Sequence, residues 1–239
     1  HHGRTSKAES VNIAVLSKLV TSRRILVVDG DTVLAPRFAA AMRDSFYRLK
    51  VVRERSKPGG GLTRRYVVED LALQSGSVRS QRPGRFGLAA WWIWLARTGE
   101  YAVSSVLRAG QTRRIGRDGP FARSRLFTVV GCGFVARRDE FPMPSDTRTE
   151  DHDFTLQVQN QQERSGSASA RSLDERGFRL VVNGDLVPFS ARLHPDTEIG
   201  VVKSGDARYV DEAVMYTDDP RVTGGLVKQL ERWNGGALE

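Results

Sequence analysis

The chain has almost no cysteine and no long hydrophobic run. Its single cysteine, Cys132, excludes an internal disulfide and a zinc site built from cysteines, and it fits a reducing compartment. The longest apolar run, GLAAWWIWLA at 87–96, is about half the length needed to cross a bilayer. Nothing at the N-terminus has the pattern of a cleaved signal peptide. We therefore expect a chain that does not itself span a membrane.

The remaining composition is that of a folded domain. The chain has 239 residues, of which 39% are hydrophobic and 27% charged. This length allows one sizeable core and falls short of the length at which two full domains are the default. We expect a single domain over 1–239.

Positive charge is in excess. The formal net charge is +9, and the arginines concentrate at 53–65 and 108–125. Such a surface attracts nucleic acid, anionic lipid or a nucleoside diphosphate, and it is also compatible with a solvated basic face. The charge by itself does not choose among these alternatives.

The hydrophobic periodicity predicts alternating helices and strands. Aliphatic residues at 24–28, ending in charged residues, are typical of a parallel strand covered on both faces. Strands that alternate with helices favour an α/β fold with a mostly parallel sheet flanked by helices. Helices are predicted at 6–19, 36–49, 91–107, from Thr149 onward and at 222–233, and strands at 24–28, 126–130, 178–182 and 209–216.

Asp29-Gly30-Asp31 follows the first predicted strand. Ligands gather at the carboxyl ends of strands in open α/β sheets, and two carboxylates one residue apart suit Mg²⁺ or Mn²⁺. A metal at this position would stabilise the charge on a departing diphosphate. The same tripeptide is also ordinary turn chemistry, and this reading stays open.

A second acidic group, Thr149-Glu150-Asp151-His152-Asp153, begins a predicted helix. A carboxylate here could act as a general base on an attacking hydroxyl. The helix N-terminus would lower the pKa of Asp151, whereas burial and neighbouring carboxylates would raise it. The alternative is an acidic first turn that only complements the helix dipole. We expect His152 to be structural.

A third group lies near the C-terminus. Gln229, Arg232 and Trp233 share one face of a predicted helix and offer an amide, a fixed cation and a stacking surface. The arginine could hold a pyrophosphate and the indole could stack on a sugar. The alternative is an amphipathic helix end with a core tryptophan.

The order of these motifs, DxD, TED and QxxRW, resembles the processive family 2 glycosyltransferases, which include cellulose, chitin, hyaluronan and poly-N-acetylglucosamine synthases. Smaller matches agree with this resemblance, whereas the stretches 48–90 and 161–205 carry little of it. The smaller matches are the G-x-x-x-KA-x-x-x-N segment at 3–12, then Glu100, Tyr101, Arg108 and Gln111, and Gly131-Cys132-Gly133-Phe134 followed by Arg137 and Arg138.

The resemblance implies a glycosyltransferase-A fold and an inverting, metal-dependent transfer. A hexose or N-acetylhexosamine would move from a UDP-sugar donor to a glycan acceptor, as in polysaccharide biosynthesis. By the same analogy Asp31, helped by Asp29, holds Mg²⁺ or Mn²⁺ and the donor diphosphate. Lys7 lies near the nucleotide, and Asp151 is the catalytic base. Gln229, Arg232 and Trp233 close over the diphosphate and the acceptor end.

The resemblance also sets expectations about what this chain lacks. Family members begin with a strand and helix that carry an aspartate for the uracil ring, and they have transmembrane helices; neither is present at 1–239. We therefore expect weak or absent donor binding by this chain alone. The resemblance places the protein at the cytoplasmic face of the cell membrane, reached by association or through the missing helices.

Two rival functions stay open at this stage. One is a non-processive transferase acting on lipid or protein, since the third motif argues for processivity only by resemblance. The other is an arginine-rich domain that binds nucleic acid or acidic lipid, which explains the charge but leaves the three ordered motifs to chance. No nucleic-acid partner is expected under the main interpretation.

Overall fold

The computed structural model describes residues 6–55, 62–84, 87–113, 126–146, 149–161, 164–182, 185–219 and 224–228. Residues 224–228 are helical. The α-helices are α1 (Lys7–Leu16), α2 (Phe38–Asp44), α3 (Leu88–Arg113), α4 (Glu150–Gln159) and α5 (Ala170–Glu175). The strands are β1 (Arg24–Val28), β2 (Thr32–Leu34), β3 (Tyr47–Arg55), β4 (Leu62–Asp70), β5 (Leu73–Ser80), β6 (Gly133–Arg137), β7 (Arg164–Ser169), β8 (Leu180–Val182), β9 (Asp185–Val187), β10 (Glu198–Lys203) and β11 (Ala207–Thr217).

A five-stranded sheet in the order β1-β6-β5-β11-β2 forms the larger layer. Its two faces are covered by different helices, because neighbouring residues of a strand point to opposite sides. Phe134 of β6 belongs to a core cluster with residues of α1 and α4, such as Ala8 and Phe154. The next residue, Val135, belongs to a second cluster with Phe38 of α2. Helices therefore flank both faces of this sheet.

A four-stranded sheet in the order β3-β4-β10-β7 forms the second layer. It has a core cluster of its own, in which Val68 and Ile199 of the sheet pack with Leu173 of α5 and with Phe178 and Phe189. The hairpin of β8 and β9 adjoins it in the chain and contributes Leu180 to the same cluster.

Two long chain segments run through both sheets. Strands β4 and β10 are parallel neighbours in the four-stranded sheet, and the strands that follow them, β5 and β11, are parallel neighbours in the five-stranded sheet. Backbone hydrogen bonds hold the segments together where they cross, from the Ser204 amide to the Asp70 carbonyl and from the Leu73 amide to the Asp206 carbonyl, each 3.2 Å long.

Buried charge ties this crossing to β1 and β6. The carboxylate of Asp70 is fully buried and accepts hydrogen bonds from Arg24 and from Arg23, the latter at 2.6 Å. Arg137 donates to the Asp70 carbonyl at 2.8 Å and to Glu140 at 2.8 Å. Burial lowers the pKa of Arg24, and Asp70 opposes that effect. A buried carboxylate with several guanidinium partners makes this crossing a structural joint.

The expected α/β class is confirmed, but the expectation of a mostly parallel sheet was wrong. Among the described strands the only parallel pairs are β4 with β10 and β5 with β11, and the other pairs are antiparallel. The strand predicted at 24–28 is β1, yet it lies at a sheet edge, pairs antiparallel with β6 and leaves Leu26 exposed. A short aliphatic run indicates burial and does not report strand direction.

Two predicted elements differ from those observed. The helix expected at 36–49 ends at Asp44, and β3 begins at Tyr47, because the residues from Tyr47 pair with β4. The strand expected at 126–130 is irregular. Its backbone amides bond to side chains instead of a strand: the Val129 amide donates to the Thr155 hydroxyl at 3.1 Å and the Val130 amide to the Ser75 hydroxyl at 2.8 Å.

The remaining predicted elements agree in type with the structure. The helices at 6–19 and 91–107 and the helix after Thr149 appear as α1, α3 and α4, and the strands at 178–182 and 209–216 appear as β8 and β11. Of the helix predicted at 222–233, only 224–228 is described, and it is helical. Among the helices that the structure describes, none combines the length and hydropathy needed to cross a bilayer.

Candidate active site

The Asp29-Gly30-Asp31 motif forms a turn between β1 and β2. The Thr32 amide donates to the Asp29 carbonyl at 3.1 Å, which closes the turn, and the Asp29 amide donates to the Cys132 carbonyl at 3.1 Å. Asp31 is exposed, and the side chain of Asp29 is 38% exposed. The turn reading is therefore correct for the backbone, and both carboxylates remain accessible to a ligand.

Lys7, the first residue of α1, reaches this turn. The helix is started by Ser6, whose hydroxyl accepts from the Glu9 amide at 3.0 Å. This start places the Lys7 ammonium 2.5 Å from Asp29 Oδ1, and the same ammonium donates to the Gly131 carbonyl. A cation thus lies between the DxD turn and the loop before β6.

The TED motif is brought to the same place by α4. The helix begins at Glu150 as predicted, although the Thr149 side chain makes no capping hydrogen bond. Glu150 Oε2 instead accepts from the Ala8 amide at 3.1 Å, which joins the N-terminal ends of α4 and α1. Residues 142 positions apart in the chain therefore meet beside Lys7.

Gly131 separates Lys7 from Asp151 and allows both to approach. A Cβ at position 131 would lie 2.7 Å from Asp151 Oδ2 and 3.3 Å from its Cγ. These separations are too short for carbon contacts, so only glycine leaves room for the carboxylate where it stands. The Gly131 carbonyl meanwhile accepts from Lys7. The Asp29, Lys7 and Asp151 side chains are thus arranged around one glycine.

Burial raises the pKa of the Asp151 carboxyl above its ordinary value. The backbone N–H groups of Asp151 and His152 and the charge of Lys7 act in the opposite direction, and burial prevails. The sequence could name these opposing effects but not their balance. A carboxylate with a raised pKa is a stronger base than an exposed aspartate, which suits proton removal from a hydroxyl.

Arg108 supplies a second, half-buried cation on the inward side of α3. Burial lowers the pKa of its guanidinium, while Tyr209, Cys132 and Asp151 act in the opposite direction. Its Nη1 donates to the Ser104 hydroxyl at 2.6 Å. Arg108 was identified from the sequence only through the family resemblance, and in the structure its charge interacts with Cys132 and Asp151.

Cys132 lies in this cluster but is unsuited to chemistry. Burial, together with the charge of Asp29, raises the pKa of its thiol to about 12. Its sulfur lies 3.8 Å from the Met215 sulfur. A thiol that stays protonated near neutral pH is a poor nucleophile.

A further polar cluster lies on α3 and connects it to the end of β11. Arg97, 1% exposed, donates to Asp219 at 3.2 Å and also binds Glu100 and the Tyr101 hydroxyl. Burial raises the pKa of the Tyr101 phenol. The sequence analysis identified Glu100 and Tyr101 by resemblance but missed Arg97 and Asp219; the clue was the charge of Arg97 directly after the apolar run at 87–96.

Phe127 is the other side chain that sequence reasoning missed. Its ring lies 4.7 Å from the His152 ring, centroid to centroid, and it is largely exposed to solvent. Its backbone amide donates to Gln111 Oε1 at 3.1 Å, which holds the loop against α3. An exposed aromatic ring beside the TED motif offers a flat apolar surface next to Asp151.

The donor set at the DxD turn can be tested against a divalent cation. Within the described parts of the chain, no group of three or more His, Cys, Asp and Glu side chains is placed to hold a metal ion. Mg²⁺ in diphosphate sites commonly takes one or two carboxylates and completes its shell with phosphate oxygens and water. Asp29 and Asp31 offer that number and kind of ligand, and Asp29 is paired with Lys7 in this structure.

The third motif, Gln229, Arg232 and Trp233, lies outside the described residues. The structure does place the strand that leads toward it. At the end of β11, Thr217 pairs with Thr32, the residue directly after Asp31. The chain therefore leaves β11 beside the DxD turn, twelve residues before Gln229.

Comparisons with known proteins add no name to this site. Neither a protein-family model nor a curated protein sequence matches the chain.

Proposed function

We propose that this chain is the catalytic domain of an inverting, metal-dependent glycosyltransferase that moves a hexose or N-acetylhexosamine from a UDP-sugar to a glycan acceptor. The observation that carries the proposal is the convergence of Lys7, Asp29 and Asp151 around Gly131. Three segments of the chain bring a lysine and two aspartates together, which is what a donor-side cation, a donor-side carboxylate and a half-buried base would require.

Asp151 is the base in this proposal. An inverting displacement needs a group that removes a proton from the acceptor hydroxyl as its oxygen attacks the anomeric carbon. Asp151 has the required carboxylate, a pKa raised by burial, and a fixed position against Gly131. The exposed ring of Phe127 beside His152 gives the acceptor sugar an apolar face on which to stack.

Asp31 and Asp29 would hold Mg²⁺ or Mn²⁺, which neutralises the charge that develops on the departing diphosphate. Lys7 contributes positive charge at the same end of the site and lies within reach of a phosphate bound at the turn. Arg108 adds a third cation on the inward face of α3. In this proposal the cations act on the departing diphosphate and the base acts on the acceptor hydroxyl.

The finer parts of the proposal come from the family resemblance. They are the glycosyltransferase-A fold, membership of the processive family 2 enzymes, a single catalytic domain over 1–239 and a position at the cytoplasmic face of a membrane. Gln229, Arg232 and Trp233 would complete the donor site, and β11 ends where such a segment could reach it.

The proposal is tested by UDP release from UDP-glucose and UDP-N-acetylglucosamine with Mn²⁺ or Mg²⁺. The assay compares this chain with a version extended upstream. Turnover should require the metal and should fall by roughly 10²–10⁴-fold in Asp151→Asn, which removes the base while keeping the side-chain shape.

Asp153→Asn is the matched control, because Asp153 lies in the same first turn of α4. It should retain most of the turnover. The proposal fails if neither form of the chain releases UDP, or if turnover does not depend on Asp151. Steeply salt-dependent DNA binding that ignores Mn²⁺ would instead favour the nucleic-acid alternative, and the length of the product separates a processive from a non-processive enzyme.

A further inference from the structure

Helix α3 has its polar and apolar faces the opposite way round from an ordinary surface helix. It is 26 residues long, or about 39 Å at ~1.5 Å per residue. A surface helix normally buries its apolar stripe and exposes its polar one. In α3 the side facing the protein becomes polar from Arg97 onward, and the side facing solvent is apolar.

The inward side follows helical spacing. It starts with the buried residues Ala90 and Ile93 and continues with Arg97, which binds Asp219, and with Tyr101 and Arg108. The outward side follows the same spacing and carries large apolar side chains that are all at least 54% exposed. These are Leu88, Trp92, Leu95, Val103, Val106 and Leu107.

The outward side forms a continuous stripe with almost no charge. Between Leu88 and Leu107 the charged residues are Arg97, which is buried, and Glu100, which binds Arg97. Gly99 lies between Leu95 and Val103 in the stripe, and nothing lies within 4 Å of a Cβ built there. Apolar stripes of this extent on a folded protein mark binding surfaces.

We propose that this outward face of α3, from Leu88 to Leu107, lies in the surface of an anionic membrane. This membrane surface is argued from α3 alone. Only its biological purpose, which is to bring the transferase to its acceptor, rests on the proposed function. A helix with a single apolar stripe matches a flat bilayer surface, into which such a face sinks to the boundary between headgroups and acyl chains. Trp92 suits that boundary, where indole rings are enriched.

Charge favours lipid over an apolar protein partner. The chain has a net charge of +9, which attracts anionic headgroups. The sequence places Arg82 and Arg85 before the stripe and Arg113 and Arg114 after it. Arg82 is exposed and its guanidinium lies 5.1 Å from the Trp91 ring centre, so a cation stands at the N-terminal end of the apolar face. Basic residues beside an apolar stripe are typical of helices that lie on anionic membranes.

This arrangement positions the candidate active site near the bilayer. Arg108 and Tyr101 lie on the inward face of the helix whose outward face would contact lipid, and the charge of Arg108 interacts with Asp151. The site would then lie about one helix diameter, ~10 Å, from the membrane surface. An acceptor or product held at the membrane could reach it without crossing the domain.

Vesicle flotation tests this proposal without any need for turnover. The full chain is mixed with vesicles of phosphatidylcholine alone or of phosphatidylcholine with phosphatidylglycerol. Binding should be confined largely to the anionic vesicles. The triple variant Trp92→Ser, Val103→Ser, Val106→Ser should lower partition by about ten-fold or more, because three apolar side chains would no longer enter the bilayer.

The matched control replaces three exposed apolar residues of another segment, Ile13→Ser, Leu16→Ser and Leu19→Ser. It should leave partition unchanged, and thermal melting of both triple variants checks that they fold. Trp92→Phe supplies a second readout, since brominated lipid should quench fluorescence of the unaltered chain and quench it less in this variant while binding persists.

Several results would overturn the membrane assignment. They are equal loss in both triple variants, unchanged partition in the α3 variant, or equal binding to neutral and anionic vesicles. A dimer in solution that the α3 variant alone converts to monomer would assign the face to a second copy of the chain. If the chain bound vesicles but never released UDP, the membrane-binding proposal would still hold and only the proposed transferase function would fail.

Discussion

The two sheets differ in what they contribute to the molecule. The five-stranded sheet and its helices position every described candidate site residue, with Asp29 after β1, Gly131 before β6, and Lys7 and Asp151 on the covering helices. The four-stranded sheet contributes none of them. Apart from Tyr47, its strands come from 48–90 and 161–205, the stretches that carry little of the family resemblance.

The difference shows how one chain combines a sheet that carries the site with a second sheet. We call this second sheet, the four strands β3, β4, β10 and β7, the extension. Two segments distant in sequence, each weak in motifs, pair with one another through β4 and β10. They remain joined to the site because the same segments continue as β5 and β11. The extension is thus tied to the site sheet by covalent continuity and by the buried Asp70 joint, and each sheet keeps a core cluster of its own.

The largest predicted effect breaks the joint between the sheets. Asp70→Asn removes the buried carboxylate that faces Arg23, Arg24 and Arg137, so uncompensated positive charge stays buried. We expect the free energy of unfolding to fall by about 3–5 kcal/mol, measured by denaturant titration. Asp139→Asn, another partner of Arg137 but 45% exposed, should cost less than about 1 kcal/mol. Equal effects from the two substitutions would show that burial at the joint is unimportant.

A second comparison sets a glycine at the site against a glycine of the extension. Gly131→Ala puts a methyl group 2.7 Å from Asp151 Oδ2, so the carboxylate must move. A displacement of about 1 Å at a base can cost ~100-fold in rate, which UDP release by the active form of the chain would measure. Gly166→Ala on β7 meets nothing within 4 Å and should leave turnover unchanged. Full activity in Gly131→Ala would argue against Asp151 as the base.

The pH dependence of the reaction should respond to Lys7 and not to a lysine of the extension. A base must be ionised to act, so turnover rises with pH through the raised pKa of Asp151. Lys7 lowers this pKa, and Lys7→Met should therefore move the acid limb of the pH profile to higher pH. Lys203→Met, in which a lysine of β10 loses its contact with Asp139, should leave the limb in place. If the acid limb in Lys7→Met moved to lower pH or did not move, Lys7 would not be lowering the pKa of Asp151.

The smallest effect concerns Cys132. Its thiol has a pKa of about 12, and alkylation requires the thiolate. Alkylation of the folded chain by iodoacetamide at mildly alkaline pH should therefore be slow, and it should become fast once denaturant exposes the thiol. Mass spectrometry over time measures both rates. Rapid labelling of the folded chain would contradict the raised pKa of this thiol next to β6.

The site was more predictable than the sheets. The family resemblance of the ordered DxD, TED and QxxRW motifs, with the Lys-Ala match at Lys7, was enough to propose that Lys7, Asp29 and Asp151 act together. Gly131 was identified by resemblance, but its steric role was not, since that depends on the position of Asp151 Oδ2 in space. The direction of the Asp151 pKa shift likewise required the burial that folding creates.

The errors in the fold have a common cause. The aliphatic residues at 126–130 have the composition of a strand, yet their amides bond to the hydroxyls of Thr155 and Ser75, which lie far away in sequence. The helix expected at 36–49 ends early because β4 offers a pairing partner from Tyr47 onward. In both cases a long-range contact outweighs local preference, and a single sequence does not show such contacts.

The sequence by itself determined the α/β class, the helices that present Lys7 and Asp151, and the turn that presents Asp29 and Asp31, because periodicity and turn chemistry are local. Only the tertiary structure decided strand direction, the gathering of that site around Gly131, the joint at Asp70 and the outward apolar face of α3. Each of these depends on which distant residues pack together, and local periodicity does not encode that partnership.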